Sequence, residues 1–108
     1  MKLRIDHVFE DAEDRRRGLM GTKLPAGSCA LFHFESSAPH SFWMKGVPTD
    51  LYLSALDAGK CVESHFMQAN TTKPHQLLGK CRLVAESRLE IPVGAKVAIL
   101  GDYLVVDD

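Results

Sequence analysis

Short runs of alternating apolar residues, broken at close intervals by turn residues, restrict this chain to a β-rich fold. Lys2 to Val8 sets Leu3, Ile5 and His7 against Lys2, Arg4 and Asp6, and Ser28 to Glu35 sets Cys29, Leu31 and His33 against Ala30, Phe32 and Phe34. Both have the period of two that a strand imposes. Asp50 to Leu56 and Cys61 to Met67 flank Asp57-Ala58-Gly59-Lys60, a hairpin turn, which predicts a meander. A second hairpin signal, Gly101-Asp102, lies between Lys96 to Leu100 and Tyr103 to Val106. Cys81 to Ser87 and Arg88 to Ile91 are also β-like, with Pro92-Val93-Gly94 as a turn.

One segment has a different character. Between Glu10 and Met20, Asp11 can cap a helix, Glu13 suits its first turn, Arg15 to Arg17 suit its last, and Gly18 and Gly21 stop it. Arg15 and Arg16 are expected on a solvated face, with Arg17 folding inward. Ser36 to His40 reads as a short polar loop and Gln68 to Lys80 as a long one, with Gln76-Leu77-Leu78 as an apolar tether. The prediction is a β-rich α+β domain: a strongly bent, mostly antiparallel sheet or partly open barrel with one N-terminal helix. Phe32, Phe34, Phe42 and Leu53 are expected in one core, with the strands at 28–35 and 50–56 in one sheet.

A length of 108 residues suits a single domain spanning 1–108. Thirteen Lys and Arg against fourteen Asp and Glu leave a net charge of -1, which gives no electrostatic footprint for nucleic acid or an anionic membrane. No apolar run approaches the roughly 20 residues of a membrane span. Met1-Lys2-Leu3-Arg4-Ile5-Asp6 carries charges where a signal peptide needs an apolar segment, so the expected location is the cytoplasm or the interior of a larger assembly. Cys29, Cys61 and Cys81 are odd in number and widely spaced, which predicts reduced, buried thiols. The five histidines stand singly, and with no CxxC or HxxxH no metal or cofactor site is expected.

Ser41 to Asp50 concentrates the unusual residues. Phe42, the only Trp at 43, and Met44 run directly into Lys45-Gly46-Val47-Pro48-Thr49-Asp50, an apolar anchor followed by a turn with both signs of charge. Alternation sends Phe42 and Met44 to one face and Trp43 and Lys45 to the other. Taken with Arg17-Gly18-Leu19-Met20, Leu89-Glu90-Ile91-Pro92-Val93-Gly94 and Gly101-Asp102, this stretch resembles domain of unknown function 192, the uncharacterised ACR family of small bacterial and archaeal proteins. The order of the family's RGLM, FWMKN, PLD, LELPAG and GD segments is kept from about Lys2 to Val106. The Asn that follows FWMK is Gly46 here, PLD is Pro48-Thr49-Asp50, and Ala95 to Leu100 is shorter than the family's helical segment.

The resemblance implies no established activity. It marks a polar set, Arg17, Lys45, Asp50, Glu90 and Asp102, among the apolar Met20, Phe42, Trp43 and Met44. One expectation is structural: Arg17 is held by a carboxylate, Glu90 in preference to Asp50. A catalytic reading needs two of the carboxylates as acid and base with Lys45 or Arg17 stabilising an anion, but no nucleophile signature accompanies them. The expectation is a non-catalytic binding or assembly module with a protein partner or self-association, of which a structural subunit of a larger particle is one form. The alternative is an enzyme or small-ligand-binding protein that uses the Lys/Arg/carboxylate pocket. A concave pocket lined by these charges favours a ligand, and a flat apolar surface around Trp43 favours assembly.

Overall fold

A computed structural model describes residues 1–107. Its elements are β1 (Lys2–Phe9), α1 (Ala12–Arg17), β2 (Ser28–Ala38), β3 (Ser41–Phe42), β4 (Leu51–Asp57), β5 (Lys60–Met67), β6 (His75–Gln76), β7 (Cys81–Ser87), β8 (Lys96–Leu100) and β9 (Tyr103–Asp107). Seven strands close a barrel in the order β1-β2-β7-β4-β5-β8-β9, and β3 and β6 form a separate ribbon.

The barrel is closed, not partly open. Leu3 pairs with Leu104 across β1 and β9. On the other side β8 meets β5 at Lys60 and Lys96, helped by the Val97 N–H donating to the Gly59 carbonyl at 2.8 Å and the Cys61 N–H to the Ala95 carbonyl at 2.9 Å. Closure removes the row of unpaired backbone groups that an open edge presents. The sheet is also mixed, because β1 and β2 run parallel. Parallel neighbours need a connection that carries the chain back to the starting end. Here α1 and residues 18–27 do so. The helix therefore follows the first strand, and it is six residues long. Its ends follow the sequence reading: the Asp11 carboxylate accepts from the Asp14 N–H at 2.8 Å, and Gly18 ends it at φ +50°.

Burial divides between the two faces of this barrel. Leu3, Cys29, Leu31, Leu56, Cys61, Ala85, Leu104 and Val106 form one cluster, drawn from strands all round the barrel, and fill its interior. A second cluster combines the alternate residues of the same strands, Ala30, Phe32, Leu51, Leu53, Ala55 and Val84, with Leu19, Leu24, Met44, Val47 and Leu77 from outside the barrel. Strands buried on both faces read as nearly continuous apolar runs, which accounts for Ser28 to Phe32 and Leu51 to Leu56. The sheet strands β2 and β4 do not touch directly; both pair with β7. Phe32 and Leu53 are buried in the outer cluster, and Phe34 and Phe42 pack against it half-buried.

The outer layer is held by the segments expected as loops. β2 runs on to Ala38 through the predicted 36–40 loop. Residues 68–80 contribute β6, whose Gln76 and His75 pair with Ser41 and Phe42 of β3. Leu77 is buried beside it, whereas Leu78 is exposed. The Glu63 carboxylate accepts from the N–H groups of Leu78 at 2.8 Å and Gly79 at 3.0 Å and contacts His65. Burial alone would raise its pKa, but these hydrogen bonds outweigh that and hold it below the usual carboxylate range. Arg88 to Ile91, read as β-like, has no strand structure, although Ile91 is fully buried.

In the β4–β5 turn both central residues have positive φ, +50° at Ala58 and +75° at Gly59, as a type I′ turn requires. A Cβ in the left-handed region costs about 1 to 2 kcal/mol. Ala58→Gly is therefore expected to stabilise the protein by up to about 1 kcal/mol after the added unfolded-state entropy is subtracted. Urea denaturation checks this, and a loss of stability would mean that the turn does not carry strain.

Candidate functional site

A cavity of about 410 Å³ opens where the outer face of the barrel meets its covering layer. Its apolar walls are Phe32 and Phe34 of β2, Phe42 of β3, and Trp43. Phe42 meets Phe32 edge to face at 5.2 Å and Phe34 at 6.1 Å. Four cations line the same space: Arg15, Arg16 and Arg17 from α1, and Lys45 from the turn after β3. This places a short helix rich in arginine over an aromatic patch, with a lysine facing it from a separate segment.

The four cations are held differently. Arg15, expected to be solvated, is the one drawn in: its guanidinium lies 4.7 Å from the Phe34 ring centre and donates to the His33 carbonyl at 3.0 Å and to the Glu10 carbonyl. Phe34 thus has cation–π cover on one side and the His40 ring stacked against it with 3.4 Å between centres. Arg17 does not pair with Glu90. It bonds Asp14 at 2.8 Å within the helix, with the two side chains 60% and 41% exposed. Their spacing of three residues lets them meet on one helix face. Such an exposed pair has little weight in the stability of the fold. Arg16 lies 3.9 Å from the Glu13 carboxylate, with both side chains exposed, and Lys45 sits 5.4 Å from the Trp43 ring centre.

Of the five marked charges, the structure brings Arg17 and Lys45 together at the cavity. Asp50, Glu90 and Asp102 are exposed and do not line it. The Asp50 carboxylate accepts from the Ala69 N–H at 2.8 Å and fixes the turn into β4. Asp102 occupies the β8–β9 turn, where its carbonyl accepts from the Ile5 N–H at 2.7 Å. Of the apolar anchor, Phe42 and Trp43 form cavity wall, Met44 is fully buried beneath them in the outer cluster, and Met20 is exposed. Gly46 has φ +69°, in the left-handed region where glycine carries no Cβ penalty. A Cβ at Gly46 would lie 2.7 Å from Met20 Cγ, which locks the 41–50 segment against the RGLM turn.

The residue that sequence reasoning missed is Glu86. It belongs to β7, pairs with Ala30 on one side and Leu53 on the other, and is 3% exposed, yet its side chain lines the cavity. Among the described residues no hydrogen bond or ion pair reaches its carboxyl. Burial pushes its pKa up to about 8, and no neighbouring charge offsets that. The signal in the sequence was a lone acid at an apolar strand position, two residues from Val84 and hence on the same face. The cysteines are free and buried; burial, with a smaller contribution from Asp6, pushes the Cys29 thiol up to about 12, and burial also raises Cys61 and Cys81. A raised thiol is a poor nucleophile at neutral pH. No group of three metal-ligating side chains converges among the described residues, and no helix is long and apolar enough to cross a membrane.

The fold is similar to two solved structures. One is a protein of unknown function from Novosphingobium aromaticivorans, 19% identical, with a TM-score of 0.77 over 88% of this chain and 75% of that one. The other is a candidate transcription regulator from Sinorhizobium meliloti, also 19% identical, with a TM-score of 0.76 over 92% of this chain and 78% of that one. At this identity the likeness concerns the fold alone. No curated protein matches the chain significantly. The sequence pattern of domain of unknown function 192 matches over residues 4–99, so the chain belongs to this family of uncharacterised ACR proteins.

Proposed function

We propose that the protein is a non-catalytic binding module for a small organic anion with an apolar or aromatic body. The observation that carries this reading is the cavity itself: aromatic walls, cations from two separate segments, and a buried acid in its lining with no partner among the described residues. Apolar pockets with a few convergent polar groups are the usual form of a small-molecule site. The walls take the body of the ligand, and Arg16, Arg17 and Lys45 take its negative end.

Trp43 is the only tryptophan and is 42% exposed at the cavity wall, so its fluorescence reports occupancy. Phenyl phosphate is expected to change that fluorescence saturably, whereas benzyl alcohol does not. Lys45→Ala should weaken phenyl phosphate binding by about fivefold, the equivalent of about 1 kcal/mol. An equal response to the neutral and anionic compounds, or no saturable response to either, would overturn the reading.

A further inference from the structure

Glu86 meets the cavity without a hydrogen-bond or ion-pair partner from the chain among the described residues. On its own strand and on β2 and β4, the two strands paired with β7, no other titratable side chain lines the cavity; these strands contribute Phe32 and Phe34. The charged groups that do line it are Arg15, Arg16 and Arg17 from α1 and Lys45 from the turn after β3. Arg15 is engaged by two backbone carbonyls, Arg16 lies 3.9 Å from Glu13, Arg17 is bonded to Asp14, and Lys45 stands over Trp43. None of the four pairs with Glu86 among the described residues. The Glu86 oxygens are not among the sealed atoms left without a partner, so they reach the solvent of the cavity. A ligand that displaces this solvent must replace its hydrogen bonds to the carboxyl, so one that does gains over one that does not.

A carboxylate in this position would require a buried cation or two adjacent donors. A carboxylic acid offers a donor, its O–H, beside an acceptor, its carbonyl. Its complement is a ring edge with an acceptor beside a donor. Building on the anion-binding reading above, we propose that the ligand is a planar heteroaromatic anion whose inner edge carries an amino group next to a ring nitrogen, with one Glu86 oxygen donating to the nitrogen and the other accepting from the amino group. Nucleoside monophosphates of adenine and cytosine belong to this class. The ring lies against Phe42 and Trp43, and the phosphate meets the cations at the mouth. The upward displacement of the Glu86 pKa to about 8 keeps the acid form in place at neutral pH.

The test is calorimetric titration of the whole protein with CMP, AMP and phenyl phosphate at about pH 7 and about pH 9.5. Phenyl phosphate has the ring and the anion without the polar edge, and it also reports any change in the phosphate or in Lys45. At pH 7 the nucleotides are expected to bind about tenfold more tightly than phenyl phosphate, in line with a two-hydrogen-bond pairing to a base edge. At pH 9.5 that preference should vanish, because ionised Glu86 presents two acceptors. In Glu86→Gln the amide keeps a donor beside an acceptor at every pH, so the preference should persist at pH 9.5. Equal binding of nucleotides and phenyl phosphate at pH 7 would overturn the inference, as would a preference in the unaltered protein that ignores pH. In either case saturable phenyl phosphate binding leaves the anion-binding reading standing. Failure of all three compounds to bind would remove both.

Discussion

Glu86→Gln is expected to make the protein more stable at neutral pH, by about 3 to 5 kcal/mol, and to flatten the dependence of its stability on pH. The side chain is 3% exposed in β7, where burial raises its pKa from an ordinary 4.5 to about 8. Below about pH 4.5 the acid is protonated in both folded and unfolded chains and imposes no penalty. Between about pH 4.5 and about pH 8 the unfolded chain releases the proton while the folded chain retains it, so each unit of pH costs about 1.4 kcal/mol. Above the folded pKa both states are ionised and the loss is complete. Glutamine has nearly the same shape and no proton to lose. Urea midpoints measured from pH 4 to 9 check this: the unaltered protein should weaken across that range and the variant should not. Parallel curves for the two proteins would mean that Glu86 is solvated or paired in solution.

Phe32→Ala is expected to cost about 3 to 5 kcal/mol, the range for removing a large ring from a packed interior. Phe32 is 1% exposed and joins three parts of the outer layer. Its ring centre is 5.0 Å from that of Phe9 and 5.2 Å from that of Phe42, and its edge lies 3.5 Å from where a Cβ would stand on Gly18. The vacated space would merge with the cavity, so Trp43 fluorescence should also shift in the folded variant. A cost under about 1 kcal/mol would show that the covering layer is not packed on the barrel.

How far these features could be read from the chain differs from element to element. The hairpins at Ala58-Gly59 and Gly101-Asp102, the Asp11 cap and the Gly18 stop are local: a turn or cap is decided by a few residues whose φ or hydrogen-bonding capacity admits little else. The extension of β2 to Ala38 and the β3–β6 ribbon were not legible, because polar residues with no periodicity become strands only when a partner edge is present. Of the site, Lys45, Phe42 and Trp43 were legible as an unusual cluster in one stretch, and Arg17 through the family pattern. The sequence places Arg15 on a solvated face because its inward contact is with His33 and Phe34, eighteen and nineteen residues away. The expected Glu90 partner of Arg17 gives way to a carboxylate three residues away on the same helix, which is the nearer one.

The sequence by itself determined the β-rich class, the helix boundaries, the two tight turns and the family, since each rests on periodicity or on residues adjacent in the chain. Only the tertiary structure decided that the sheet closes, that it carries one core inside and another outside, and that Glu86 lines a cavity with Arg15, Arg17 and Lys45 on it. The reason is physical: alternation assigns a residue to a face of its strand, but which face meets lumen, covering layer or cavity depends on closure and on segments far away in sequence. An acid at a strand position reads as solvent-facing until the segment that covers it is in place.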